Sequence, residues 1–342
     1  MMGVAAETGS YLADFSRLED RTSSNGLSWL REIRRAAIGR FAELGFPTTR
    51  HEDWKYTSVA PIAQTAFLPG VTTPQGISKE RIREISVENW SPRELVFING
   101  WCSNELSSPG SLDADISLRS MGKAFERDRP AMEPYLARVA SYQDQPFTAL
   151  NTAFMEDGGF LRVGRGVIVE QPIHLLFLTS PDKSPAISYP RNLVVVGDNS
   201  QVTIVESFIG LEEGVYWTNA VTEVVLGDHA VVEYLRFQRE SEEAFHVATL
   251  QVSQGCSSSL AVQTFSVGGS LVRDDLNVVL EGEGGICTLN GLSLLSGRQH
   301  ADTHTKIDHA MPNCTSRELY KGILADRSTG VFNGKIVVRQ EA

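Results

Sequence analysis

GDNSQVTIVES (197–207), GDHAVVEYLRF (227–237), GCSSSLAVQTF (255–265) and GEGGICTLNGL (282–292) are four versions of one phrase, and their opening glycines lie 30, 28 and 27 residues apart. Five positions after each glycine come Val202, Val232, Leu260 and Cys287, and seven after come Ile204, Tyr234, Val262 and Leu289. A small turn residue followed by inward positions two apart describes a strand leaving a bend. Recurrence near 28 residues makes each phrase one coil of a β-solenoid, with core residues stacked coil on coil. A closed β-sandwich is the competing all-β reading, and the regular glycine spacing fits it less well. A solenoid is a rigid rod without an obvious cleft, which favours a scaffold over a soluble catalyst.

Outward from the repeat, residues 8 to about 46 read as helix. Leu30, Ile33, Ala37, Phe41 and Leu44 form one apolar stripe, and Gly45 then Pro47 end it. A second helix is expected through SKERIREI (78–85), with Ser78 as its N-cap. LVFING (95–100) is the first convincing strand. Residues 116–156 return to helical character through Met121, Phe125, Met132 and Tyr135. The expected organisation is an N-terminal helical region over 1–94, a mixed transition over 95–158, and the solenoid core over 159–342.

The chain has 342 residues and a net charge of −11, which argues against nucleic acid or an anionic membrane as main partner. No apolar run approaches the roughly 20 residues of a membrane helix, and MMGVAAETGSYLADF lacks the features of a secretory signal. Cys102, Cys256, Cys287 and Cys314 show no CxxC pairing and fit a reducing, cytoplasmic compartment.

HADTHTKIDHAMPNC (300–314) concentrates metal-ligand types. On a strand, His300, Asp302, His304 and Lys306 share one face, while Ala301, Thr303, Thr305 and Ile307 share the other. The small and apolar row should face inward, leaving the polar row as a solvated or structural face, a partner interface, or a zinc or iron site. His300, His304 and Cys314 are the metal candidates. Cys287 sits where other coils carry Val or Leu and reads as a buried hydrophobe. Asp274 and Asp275 point to opposite faces and cannot act as a pair. No phosphate loop, HExxH or GxSxG motif occurs, so no catalytic residue is assigned.

FPTTRHEDWKYTSVAPI (46–62), ALNTAFMEDGGFLRV (149–163), GVIVEQPIHLLFL (166–178), YPRNLVVVGDNSQVTIVESF (189–208) and TSRELYKGILADRSTGVFNGKIVV (315–338) together resemble the SufB/SufD family of the SUF iron–sulfur cluster assembly machinery. The first of these stretches is similar to SufD rather than SufB. The resemblance implies a right-handed parallel β-helix and a non-catalytic scaffold subunit that pairs with a SufB-like subunit and the SufC ATPase. It also implies support of iron acquisition, and a transient cluster held only in the SufB-containing complex rather than a cofactor bound stably by this chain.

In that family the chain continues beyond FNGKIVV with a Cys-x-His pair and SufC-binding helices, which have no counterpart here. This leads to the expectation that the chain alone does not bind SufC and that its last coils self-associate, as a homodimer, or need a partner. Interface candidates are His304, His309, Cys314, Arg317, Tyr320, Lys321, Phe332, Asn333 and Lys335, and Trp54 and Tyr56 are expected to dock the helical region onto the solenoid. The rivals are a SufB-type paralogue and a polysaccharide-active β-helix enzyme. The latter needs clustered carboxylates that the sequence does not show.

Overall fold

The structure is a computed structural model that describes residues 2–23, 27–70, 77–85, 93–110, 113–181, 184–340 and 342. The helices are α1 (Met2–Thr22), α2 (Ser28–Leu44), α3 (Ala60–Gln64), α4 (Lys79–Ile85), α5 (Met121–Arg127), α6 (Arg129–Met132) and α7 (Pro146–Phe154). The early strands are β1 (Leu68–Pro69), β2 (Arg93–Ile98), β3 (Trp101–Cys102), β4 (Ile116–Ser120), β5 (Gly159–Val163), β6 (Ile173–Thr179), β7 (Ala186–Ser188) and β8 (Arg191–Val196). The regular coils follow as β9 (Gln201–Gly210), β10 (Tyr216–Leu226), β11 (Val231–Arg239), β12 (Phe245–Gln254) and β13 (Ser259–Ser266). They end with β14 (Leu271–Leu280), β15 (Ile286–Leu295), β16 (His300–His309), β17 (Thr315–Leu324) and β18 (Thr329–Val338).

From β9 onward successive strands alternate between two sheets. Sheet A runs β18-β16-β14-β12-β10-β8-β5-β4, and sheet B runs β17-β15-β13-β11-β9-β6-β2-β3. Every neighbouring pair along the coils is parallel, which rules out the sandwich and makes the fold a parallel β-solenoid of about six turns. Val202, Val232, Leu260 and Cys287 lie side by side, as do Ile204, Tyr234, Val262 and Leu289. These rows meet Ala220, Val224, Leu250, Val252, Leu276, Val278 and Ile307 from sheet A in one continuous core. At the N-terminal end the pairing turns antiparallel, β3 on β2 and β4 on β5, which ends the parallel stack there.

The corner between each sheet A strand and the next sheet B strand explains the repeating glycine. A Cβ on Gly227 would lie 2.7 Å from Asp198 N, and one on Gly282 would lie 2.0 Å from Cys256 N. The glycine is therefore needed for close approach of one coil to the previous one. Two residues later the chain turns through a left-handed conformation at Asn199, His229, Ser257 and Gly284, with φ between 52° and 75°, and Asn313 repeats it at φ 61° in the following coil, where Met311 stands in place of the glycine. The N–H of that residue donates to the next coil, as in Asn199 N to Asp228 O, 2.8 Å, and His229 N to Cys256 O, 2.8 Å.

The helical region lies on the outer face of sheet A. Trp217 of β10 is fully buried beneath Tyr11, Phe46, Phe67 and Phe147. Gly45 ends α2 at φ 63°, its N–H returning to Phe41 O. Ser78 caps α4 by accepting the Arg81 N–H at 3.2 Å. Three expectations are corrected. The single helix over 8–46 is two: α1 ends at Thr22 and α2 starts at Ser28, and the sequence between them, rich in Ser with Asn25 and Gly26, favours a break over a continuous helix. Residues 116–120 are the strand β4, not helix, since Ile116 and Leu118 alternate into the core. The solenoid begins with β2 rather than at 159, because β2 already pairs with β6.

Gly282→Ala should lower stability by about 1–3 kcal/mol through forced displacement of the neighbouring coil. Gly9→Ala in α1, where nothing lies within 4 Å of the added atom, should raise it by about 0.5–1 kcal/mol. Urea denaturation of both variants checks the contrast.

Candidate functional site

Nine positions after each corner glycine the inward row turns polar. Glu206, Arg236, Thr264, Gly291 and Tyr320 stand side by side along sheet B. Arg236 Nε donates to Glu206 Oε2 at 2.6 Å, and its Nη1 lies 3.4 Å from Asp274 Oδ1. Glu206 also accepts Thr222 Oγ1 and Asn192 Nδ2, each at 2.7 Å. Burial alone would raise the Glu206 carboxyl, but the Arg236 guanidinium, with Tyr234 and Thr222, outweighs it and holds it below the usual carboxylate range. Burial likewise disfavours the Arg236 cation, and Glu206, Tyr234 and Asp274 reverse that and raise its pKa. Toward the last coil the Tyr320 ring occupies the space above Gly291, where a Cβ would sit 2.3 Å from it, and stacks on Phe332 at 4.7 Å.

A second charged network lies on the outer face of sheet A. Arg273 of β14 donates to Asp275 (2.7 Å), to Asp302 (2.6 Å) and to the backbone oxygen of Asp53 (2.9 Å), with its guanidinium 4.3 Å from the Trp54 ring centre. Asp302 lies 3.1 Å from His304 Nε2 and accepts the Thr57 hydroxyl. That hydroxyl has one proton, so His300 Nε2, 2.8 Å away, must donate to it. Burial lowers the His300 pKa, with Arg273 adding to it against the opposing pull of Asp302. The outward row His300, Asp302, His304 is thus largely covered rather than solvated, and Asp302 is 1% exposed. Trp54 docks as expected, but Tyr56 does not: it is 68% exposed, with the Lys55 ammonium 5.5 Å from its ring.

The remaining candidates scatter over three surfaces. His304, Asn333 and Lys335 share the outward row of sheet A, and Arg317 and Lys321 share that of sheet B. Tyr320 and Phe332 point into the lumen, where His309 Nε2 lies 2.9 Å from Ser316 Oγ. Cys314 Sγ contacts Gly282 O at 3.3 Å. Burial pushes the Cys287 thiol up to about 12, which disfavours a thiolate ligand. Among the described residues, no three His, Cys, Asp or Glu side chains converge on a point that could hold a metal ion. Asp274 faces inward toward Arg236 and Asp275 outward toward Arg273.

Sequence reasoning missed a Ser–His–Glu chain on the outer face of sheet B. His174 Nε2 lies 2.9 Å from Ser207 Oγ, and His174 Nδ1 lies 2.7 Å from Glu94 Oε2. The order of atoms is that of a nucleophile, base and orienting acid. Ser207, however, is 6% exposed in the middle of a strand paired on both sides, with the ladder engaging the surrounding backbone. The free, convergent N–H donors that stabilise an oxyanion have no place there, and the chain acts as a clip across β2, β6 and β9. The earlier signal was the placement of all three on outward positions of adjacent strands.

With this geometry in place, comparison with known proteins is informative. Residues 5–175 match the SufBD protein N-terminal region, and residues 177–342 match the SufBD core domain of the SUF system for FeS cluster assembly. An iron–sulfur cluster assembly SufBD family protein of Synechocystis sp. is 32% identical over 90% of this chain and 69% of its own length. SufD of Escherichia coli is 24% identical over 87% of this chain and 67% of its own length. SufB of Bacillus subtilis is 25% identical over 64% of this chain and 47% of its own length.

Arg236→Met should cost about 3–5 kcal/mol at pH 7, because it strands Glu206 and Asp274 without a counter-charge. The Glu206 pKa is depressed in the wild type, so its stabilisation is present above the unfolded value of about 4.3 and fades as pH falls through the folded one. The deficit of the variant should therefore hold between pH 7 and pH 4.5 and shrink as pH falls below about 4.3 in urea titrations. The lowered His300 pKa works in the same direction at higher pH: its contribution is full above the unfolded value of about 6.5 and declines below it. His300→Gln should remove that part of the pH dependence between 7.5 and 5.5.

Proposed function

The chain belongs to the SufBD family of the SUF iron–sulfur cluster assembly system, and on that premise we propose that it is a SufD-type scaffold subunit with no chemistry of its own. The observation that carries this reading is the regular stack of parallel coils, which offers strand edges and faces for pairing and, among the described residues, no convergent metal-ligand cluster. Among the described residues β17 and β18 pair on one side only, with β15 and β16. The apolar residues at that rim are open: Leu324 is 50% exposed, Phe332 50%, Ile336 55% and Val338 65%. Edges of this kind recruit another strand or a covering chain.

In this reading the edge pairs with a SufB-like subunit, in a complex that also contains the SufC ATPase, and two copies of this chain use the same edge when that subunit is missing. Iron and sulfide are then cargo of the assembled complex, and this chain supports iron acquisition and cluster building by shaping the interface. The scattered His and Cys side chains, the raised Cys287 thiol and the blocked Ser207 support a structural rather than a chemical part. SufD-type assignment is supported by the longer span of similarity to SufD than to SufB.

Co-expression with a tagged SufB-like subunit tests the reading. Phe332→Asp with Ile336→Asp should reduce co-purification at least tenfold while the thermal unfolding of the isolated chain stays cooperative. Light scattering should show concentration-dependent self-association of the wild type and a monomer for the double variant. Full co-purification of the double variant would overturn edge pairing, as would a strictly monomeric wild type with no affinity for the SufB-like subunit.

A further inference from the structure

The outward row of sheet B changes along the rod. On β9 its residues Val205, Ser207 and Ile209 are buried. There α4 covers the sheet, with Ile82 in one apolar cluster with Val96, Ile98, Leu106, Leu176, Leu178 and Ile209. From β11 onward the cover stops but the apolar chemistry continues. Phe237 lies beside Phe265, Phe265 beside Leu292, and Leu294 beside Ile323. Phe237, Phe265 and Leu292 are half-exposed, while Leu294 is 37%, Leu319 55% and Ile323 63% exposed.

A solvated sheet face ordinarily carries polar outward positions. Here four adjacent strands present aromatic and aliphatic side chains over about 14 Å, at roughly 4.8 Å per strand. A contiguous exposed apolar patch with a polar rim marks an interaction site. The rim carries more cations than anions: Lys321 continues the Phe237–Phe265–Leu292 row, exposed Arg317 stands on the same strand and exposed Arg239 on β11, against exposed Glu233 at the far end of the Arg317 row. In a chain of net charge −11 this local sign selects a partner of opposite charge.

We propose that the ladder of Phe237, Phe265 and Leu292, extended by Leu294, Leu319 and Ile323, receives an amphipathic α-helix of a separate protein whose apolar stripe is flanked by acidic residues. The patch continues the face that already accepts a short helix, α4, through Ile82. A helix laid along the solenoid axis advances about 5.4 Å per turn, close to the strand spacing, so it sets one apolar residue per turn over each coil for three turns. Its acidic flank then meets Arg317 and Lys321. The ladder and the pairing edge share β17 but use different groups, the ladder its outward side chains and the pairing its backbone edge with lumen-facing Phe332 and Ile336, so a Phe265 adduct and Phe332/Ile336 co-purification report on them separately.

A photo-crosslinking amino acid, p-benzoylphenylalanine, in place of Phe265 in the full-length protein in its native cell tests this. Irradiation should yield an adduct that mass spectrometry maps to an amphipathic, acid-flanked helical segment of another protein. Arg317→Glu with Lys321→Glu should remove the adduct and weaken binding of the matching synthetic peptide to the purified chain by roughly tenfold. An adduct to a second copy of this chain, to lipid or within the same chain would overturn the proposal, as would no adduct above the unirradiated control. Unchanged peptide affinity in Phe265→Ser, with wild-type unfolding, would overturn it equally.

Discussion

The coil-to-coil contact at the glycine corner is the constraint on which the rest depends. Each turn must bring its backbone against the preceding one closely enough that a Cβ at Gly227 or Gly282 would collide with it. It then swings through a left-handed residue and hands a hydrogen bond to the next coil. Once this contact repeats, the register of every strand follows, and period-two alternation sends every second residue into the lumen. The apolar rows, the polar row at Glu206 and Arg236, and the outward ladder on sheet B are all consequences of that one register.

Buried charge is the next layer. Arg236 with Glu206 and Arg273 with Asp302 each join neighbouring coils, and all four side chains are almost fully removed from solvent. Such pairs recover their desolvation only with good geometry and further donors, which Asn192, Thr222 and Thr57 provide. A one-residue slip would flip each of these side chains to the opposite face and leave its partner buried without a counter-charge. The pairs therefore oppose slippage that an all-apolar lumen would tolerate more readily. The outer pair does more, since Arg273 also holds Trp54 and Asp53 and so ties the N-terminal segment to β14 and β16.

How legible these features were depended on how local their causes are. The rows Val202–Val232–Leu260–Cys287 and Ile204–Tyr234–Val262–Leu289 could be read because each is one repeat from the next and alternation is a property of the strand itself. The polar row could have been read the same way, since Glu206 and Arg236 sit at equal offsets from their glycines. Residues 116–120 were misjudged because Ile116 and Leu118 become strand only through pairing with β5. The burial of Asp302 was out of reach: it depends on Thr57, 245 positions away, whose arrival no local pattern announces. Tyr56 failed for the converse reason, as its neighbours Trp54 and Thr57 face the sheet and leave it turned outward.

The sequence by itself determined a parallel solenoid with one coil per 28 or so residues, because glycine spacing and alternation are local and repeat. It also determined which side chains face the lumen. Only the tertiary structure decided which outward faces are covered and which are open. The outward rows of sheets A and B carry polar and apolar residues alike, and their exposure depends on where α2, α4, α7 and the Trp54 segment come to rest. Packing between segments far apart in the chain makes that choice, and it leaves Leu294, Leu319 and Ile323 exposed beside the partly buried Phe237–Phe265–Leu292 row.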